Sequence, residues 1–296
     1  MFGVFNINKR VGWKSHGVIQ RVRRLARPAK VGHAGTLDPL AGGVLVVCVG
    51  PATRLLDHVR RTPKEYRATF LLGQFSVSDD FETDVEHLAK APQPTLAEVD
   101  AAVRQFVGEI EQRPPAFSAV KVEGWRSYEL ARVGVDVELT PRPVTIHRLA
   151  VVRYEYPELE LDMRCSSGTY VRSVGRDLAA ALGTRAVMSA LVRTAVGAFR
   201  LEDAVDAAGV SDEDLLAQMQ SPLSIVGDLP RIMLTAPQAA HVYRGMLLRS
   251  TELALPENLP DDPEIVAVDE QQRLLAILKQ SHPGLWRPSP NFRQTE

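Results

Sequence analysis

The sequence predicts an α+β protein, with a mixed, mostly antiparallel sheet carrying helices over residues 1–228 and a small β-rich domain over residues 229–296. Three observations lead there. At 296 residues the chain is long for a single core, so two domains are expected. Strand-like and helix-like stretches alternate without the strict period of a parallel sheet, which favours a mixed one. A polar, acidic stretch, SDEDLLAQMQSPLSIVGDLP, then breaks the pattern and places a boundary near residue 228.

The elements follow in order. GVFNINK reads as a strand, and SHGVIQRVRRLAR as a helix capped by Ser15, with Val18, Val22 and Leu25 on one face and the arginines on the other. After a glycine-rich loop, VLVVCVG is a continuously apolar buried strand, a helix lies near ATRLLDHVRR, and EYRATFLLG alternates as strands do. TLAEVDAAVRQFVGEI is a helix whose Thr95 and Glu98 have capping-box spacing. RPVTIHRLAVVRYEY and ELELDMRCSSGTYV are two further strands, and VRSVGRDLAAALG is a helix stopped by Gly183. Past the boundary come a short helix, APQAAHVYRG, and a hairpin, EIVAVDEQQRLLAILKQ, turning at residues 269–272.

The net charge of −1 conceals an asymmetry. Residues 1–64 hold 12 Lys/Arg against Asp38 and Asp57 alone, and no acidic residue precedes Asp38. Such a split suggests a polyanion-binding face on an otherwise acidic chain. Cys48 and Cys165 lie in apolar contexts with no CxxC and no His spacing suited to zinc, and read as reduced core residues of a cytoplasmic protein. MFGVFNINKR is too short and too polar for a secretion signal, and no apolar run approaches membrane-spanning length, so no membrane partner is expected.

Asp38 sits in VGHAGTLDPLAGGVL, a glycine-framed turn held by Pro39 and entering a buried strand. The stretch is neither GxxxxGK[ST] nor GxGxxG, and no HExxH occurs, so nucleotide-dependent and zinc-protease chemistry have no support. An isolated Asp-Pro pair is most often a turn cap bonding backbone amides. Two other stretches favour chemistry. PKEYRATFLLG places Tyr66 beside Lys64 and Arg67, and CSSGTYVRSVGRDL places Tyr170 and Arg172 at a strand-to-helix corner. Aromatic faces next to guanidinium groups suit an extruded nucleobase and its phosphates, although either tyrosine alone reads more readily as a half-buried core residue. Arg172 also offers an ion pair that would hold a recessed Asp38 ionised below the usual value of about 3.9. QRPPAFSAVKVEGWRSYELAR, with Lys121 and Trp125, reads as a long basic and aromatic loop, either a lid or a packed surface loop. His33 reads as a structural histidine, and Lys9 alone is uninformative.

With these stretches in order, the chain resembles the TruB family of pseudouridine synthases. NKRVGWKSHGVI is similar to the family's NKPxGxTS motif, GHAGTLDPLAGGVL to GHxGTLDPxAxGxL, KEYRATFLLG to KxYxxxxxLG, and CSSGTYVRSVGRDLAAALG to GTYIRxLxxDLG. RPPAFSAVKVEG, followed by YELAR, resembles the RNA-gripping insertion, and the tail a PUA-type RNA-binding domain through LPRIML and YRGMLL. The resemblance runs from about residue 4 to residue 228. It implies a catalytic domain over residues 1–228 in which Asp38 is the nucleophile, Tyr66 packs on the target uracil and Arg172 partners Asp38. It further implies that Tyr170 and Leu191 line the pocket, Lys9 supports Tyr66, His33 wedges into the opened T loop and Lys121 lies in the RNA-gripping insertion. The departures are Arg10 for Pro, Lys14 for Thr, and Val77 and Thr83 for Asp and Gly in FSVSDDFETD.

The implied activity is isomerisation of uridine 55 in the tRNA T loop. It breaks an N-glycosidic bond, rotates the base and rejoins it through C5, with no redox change, so neither cofactor nor metal is expected. Asp38 would attack the sugar C1′ or remove a sugar proton, and Tyr66 is a candidate to take the C5 proton. The expected partner is the tRNA T arm, with no obligate protein partner and a monomeric chain. The rivals are a related synthase acting on another RNA, a non-catalytic RNA-binding or tRNA-folding protein, and a nucleoside hydrolase, which would release free uracil.

Overall fold

The computed structural model describes residues 1–292 apart from 119, 123, 136 and 138. Its main sheet has ten strands. β1 (Gly3–Lys9) lies antiparallel to β3 (Ala41–Val49), and β2 (Val31–His33) also pairs with β3. β4 (Lys64–Leu72) is separated from β3 by the strand Ala186–Val196, which runs parallel to β3 and antiparallel to β4. Beyond β4 the sheet continues antiparallel through Glu158–Cys165, Arg142–Glu155 and Gly108–Gln112. A parallel bridge from β1 to Val205–Asp206 closes the other edge. The α+β class and the mixed, mostly antiparallel sheet are therefore as expected.

The helices are α1 (Ser15–Leu25), α2 (Leu56–Arg61), α3 (Leu96–Gln105), α4 (Ser127–Arg132) and α5 (Val171–Ala181), with Ala236–Tyr243 among those that follow. α3 and α5 cover the β4 side, where Val99, Val103, Val174 and Leu178 join Phe70, Leu161 and Met188 in one buried cluster. α5 approaches β4 so closely that a Cβ on Gly175 would lie 2.0 Å from the Phe70 ring. α1 buries Val18 and Val22 against Phe5, Ile7, Leu45 and Val47.

The unbroken run of apolar residues in β3 has a simple cause. Leu45, Val47 and Val49 face α1, while Val44, Val46 and Cys48 face a second sheet. That five-stranded sheet is ordered Arg231–Met233, Glu264–Val268, Leu274–His282, Leu285–Asn291 and Leu248–Arg249. Its Val266, Val268, Leu274, Ile277 and Phe292 complete the same apolar cluster, and Phe292 stacks on Phe2 at 5.3 Å. Arg54 donates to Asn291 O at 2.8 Å, and His58 lies 3.3 Å from Glu264 across the same junction. No described helix is long and apolar enough to cross a membrane.

Several local expectations need correction. Ser15 is the first helical residue and does not cap α1; Lys14 occupies the cap position without a side-chain bond. α3 has the expected capping box but ends at Gln105, because Gly108 takes φ +114° and Gly108–Gln112 joins the sheet. The strand Ala186–Val196, central to the sheet, was not anticipated, nor were the strands Leu248–Arg249 and Leu285–Asn291. The stretch from Gln112 to Arg132 is not wholly a loop, since Lys121–Val122 pairs with Trp125–Arg126 and α4 follows.

Candidate active site

The loop between β2 and β3 presents Asp38, and its backbone is fixed from four sides. Ala34 N donates to Val46 O at 3.1 Å, Ala41 N to Asp38 O at 3.0 Å, and Gly12 N to Pro39 O at 2.8 Å. The fourth hold is the Ser15 hydroxyl, which donates to Leu37 O at 2.8 Å and accepts from Leu37 N at 3.0 Å. Both residues are buried, so this reciprocal pair clamps the residue immediately before Asp38.

Arg172, in the first turn of α5, donates to the Asp38 carboxylate at 2.9 Å. It also lies 3.4 Å from Asp80 and donates to Ser78 O and Phe117 O, each at 3.0 Å. The Arg172 side chain is 7% exposed and that of Asp80 3%, whereas Asp38 is 43% exposed, so the shared cation is buried and the carboxylate it holds opens outward. The expected ion pair is thus present, but the expected direction of the Asp38 pKa is not. Loss of hydration raises it, Arg172 pulls it back, and the nearby Asp80 and Glu82 push it up again.

Tyr66 stands on β4 directly opposite Arg193 of the central strand. Loss of hydration raises the Tyr66 phenol pKa, and the Arg193 guanidinium across the strand pair pulls it back. Arg193 donates to Val44 O at 2.7 Å and Gly35 O at 3.1 Å, which ties the Asp38 loop to the Tyr66 strand. β3 and the central strand are so close that a Cβ on Gly43, at φ +99°, would lie 2.2 Å from Arg193 O. Leu191 pairs with Ala41 two residues away and is buried beside Leu37, Ala68 and Phe70.

Tyr170 caps the entry to α5 and is half-buried; its N and O are held by the buried Gln112 side chain at 2.8 and 3.1 Å. Lys9 is buried, with its ammonium on Trp13 O at 2.6 Å and Arg10 O at 3.1 Å, and burial lowers its pKa to about 8. His33 is half-buried in β2, its pKa lowered by lost hydration and then by Arg60 and Arg193. Lys121 lies exposed in the hairpin of the insertion, whose base is tied to α5 through Ser173 Oγ and Arg176 Nη2 on Arg113 O. Lys64, by contrast, turns into the carbonyls of Arg60 and Thr62 at the end of α2, and Arg67 faces Glu160 and Asp162. Neither is a free cation beside Tyr66.

The basic run is similarly divided. Arg10 pairs with Asp206, and Arg21 and Arg24 with Asp212, whereas Lys14, Arg23, Arg27 and Lys30 are exposed with no acidic partner among the described residues. Sequence reasoning missed Ser15 as a clamp, Asp80 as a second anion on Arg172, and Arg193. Only Arg193 carried a visible signal, a charged residue inside the apolar run AVMSALVRTAV.

Residues 23–171 match the model of the TruB family pseudouridylate synthase N-terminal domain. A tRNA pseudouridine synthase B of Arthrobacter sp. (strain FB24) is 41% identical over 284 residues, covering 93% of this chain and 92% of that one. Another, of Thermobifida fusca (strain YX), is 43% identical over 251 residues, covering 82% and 85%. Among solved structures, the crystal structure of a Cbf5-Nop10-Gar1 complex gives a TM-score of 0.72 at 26% identity, covering 94% of this chain and 78% of that one.

Proposed function

The chain belongs to the TruB family of pseudouridine synthases, and from that membership we propose that it converts uridine 55 in the T loop of tRNA to pseudouridine, with Asp38 as the nucleophile. The observation that carries this reading is the outward-facing Asp38 carboxylate, on a loop held from four sides and paired with a buried Arg172. A carboxylate so placed can attack C1′ or take a ribose proton; either route needs it ionised and within reach of the sugar.

The other roles are those that the family resemblance implies. Tyr66 packs on the flipped uracil, Leu191 and Tyr170 line the pocket, Lys9 supports Tyr66, and His33 enters the opened T loop. Lys121 and the rest of the insertion grip the RNA. Extruding the uridine costs a few kcal/mol, which aromatic packing and phosphate contacts offset. Residues 1–228 form the catalytic domain and residues 229–296 a PUA-like RNA-binding domain, working as a cytoplasmic monomer without an obligate protein partner or cofactor.

The test is to map pseudouridine in an unmodified tRNA transcript after incubation with wild-type protein and with Asp38→Asn. Conversion confined to position 55 and abolished by the substitution supports the reading. Conversion elsewhere overturns the site assignment, release of free uracil points to a hydrolase, and tight binding by both proteins without conversion leaves an RNA-binding protein.

A further inference from the structure

The two buried arginines of the site are treated differently by the fold. Arg172 has Asp38 and Asp80. Arg193, of which 2% is exposed, has no carboxylate within ion-pairing distance among the described residues; it donates to Val44 O and Gly35 O, and Tyr66 is its cross-strand neighbour. A buried cation without a counter-ion is costly. Its field also reaches other groups, opposing protonation of Lys9, His33 and Lys64. Of Val44 O, Gly35 O and Tyr66, only Tyr66 can become an anion, and the strand register places Tyr66 and Arg193 directly across from each other.

We propose that Arg193 is a positioning residue for Tyr66: it fixes the phenol oxygen and supplies the counter-charge during the interval in which that oxygen is a phenolate. The inference rests on the pseudouridine-synthase reading. Once the uracil has rejoined the sugar through C5, N1 is double-bonded to C6 and C5 still carries its hydrogen. The phenol gives its proton to N1 and becomes a phenolate against Arg193. The phenolate then takes the C5 proton; the C–H electron pair forms the C5–C6 double bond, and the N1–C6 pair returns to nitrogen. Tyr66 ends as it began, N1 has gained one proton, and C5 has lost one. Arg193 touches no reacting atom, and its cost in the resting protein is offset when the phenolate forms beside it.

The experiment compares single-turnover rates on tRNA transcripts carrying hydrogen or deuterium at uracil C5, for the full-length wild type, Arg193→Met and Arg193→Lys. Arg193→Met should slow conversion roughly 10²-fold, in the range of lost acid–base catalysis, and raise the C5 isotope effect above that of the wild type. Arg193→Lys, which keeps the charge but not the planar fork, should recover part of the rate with an intermediate isotope effect. A slowed variant with the wild-type isotope effect would show a merely structural arginine, and a wild-type rate in either variant would equally overturn the proposal. Should Arg193→Met fail to fold, Arg193→Lys decides by the same two criteria. A wild type that makes no pseudouridine fails earlier and separately, removing the synthase reading and this inference with it.

Discussion

Replacing Ser15 by alanine tests how the Asp38 loop is held. The change removes one hydroxyl and leaves two buried backbone groups, Leu37 N and Leu37 O, without their partner. A buried backbone group left unpaired costs about 1–3 kcal/mol, so the pair together should cost about 2–6 kcal/mol by the same principle. Loss of an ordinary helix cap costs about 1 kcal/mol and has no reason to touch catalysis. Here the next residue is Asp38, and a displacement of about 1 Å at a reacting group can cost roughly 10²-fold in rate. Denaturant unfolding gives the stability change, and single-turnover conversion of tRNA gives the rate. Ser15→Asp separates the two accounts, because aspartate caps a helix as well as serine does but cannot donate to Leu37 O and would bury a charge. Ser15→Ala with a loss below about 1 kcal/mol and full turnover, or a neutral Ser15→Asp, would refute the clamp.

Three further outcomes are expected. Because burial raises the Asp38 pKa and Asp80 adds to it, turnover should fall on the acid side with a midpoint above about 3.9, and Asp80→Asn should move that midpoint down; a midpoint that rises in this variant contradicts the assignment. Lys9 and Lys64 are held at about 8, below their ordinary 10.5, so above pH 8 the unfolded chain carries more protons on them and stability rises with pH. Cys48 and Cys165, held at about 12 and about 11, oppose this only above their ordinary 9, so urea midpoints should climb between pH 8 and 9 and Lys9→Met should flatten the climb. Arg23→Ala or Arg27→Ala should each reduce the salt dependence of tRNA binding by about one unit of slope, whereas Arg21→Ala, already paired with Asp212, should leave it unchanged.

What was legible in the sequence was what local chemistry writes into a few consecutive residues. The capping box of Thr95 and Glu98 and the hairpin turn at Asp269 depend on near neighbours, and the Asp38 turn is marked by its own glycines and Pro39 although Gly12, Ser15 and Val46 also hold it. The strand Ala186–Val196 was not legible because its polar members are explained only at a distance: Arg193 serves carbonyls at residues 35 and 44. Leu285–Asn291 hides behind Pro288 and Pro290, which sequence reasoning places outside regular strands. Ser15 has the residue type and position of a cap, and only the fold reveals a loop within reach of its hydroxyl. The Asp38–Arg172 pair was foreseeable from motifs, but the sign of the pKa shift was not, since charge can be counted along a chain and lost hydration cannot.

The apolar layer between the two sheets also bears on how the chain is made. β3 is synthesised within the first fifty residues, yet part of the cover over Val44, Val46 and Cys48 arrives only with Glu264–Val268, Leu274–His282 and Phe292, long after Leu55, Val59, Val196, Phe199 and Ile225 have joined the same cluster. Through most of synthesis the cover of that face is incomplete. A message truncated near codon 228 would therefore yield a polypeptide with a partly uncovered valine-rich strand, the kind of surface that chaperones hold and that aggregates form upon.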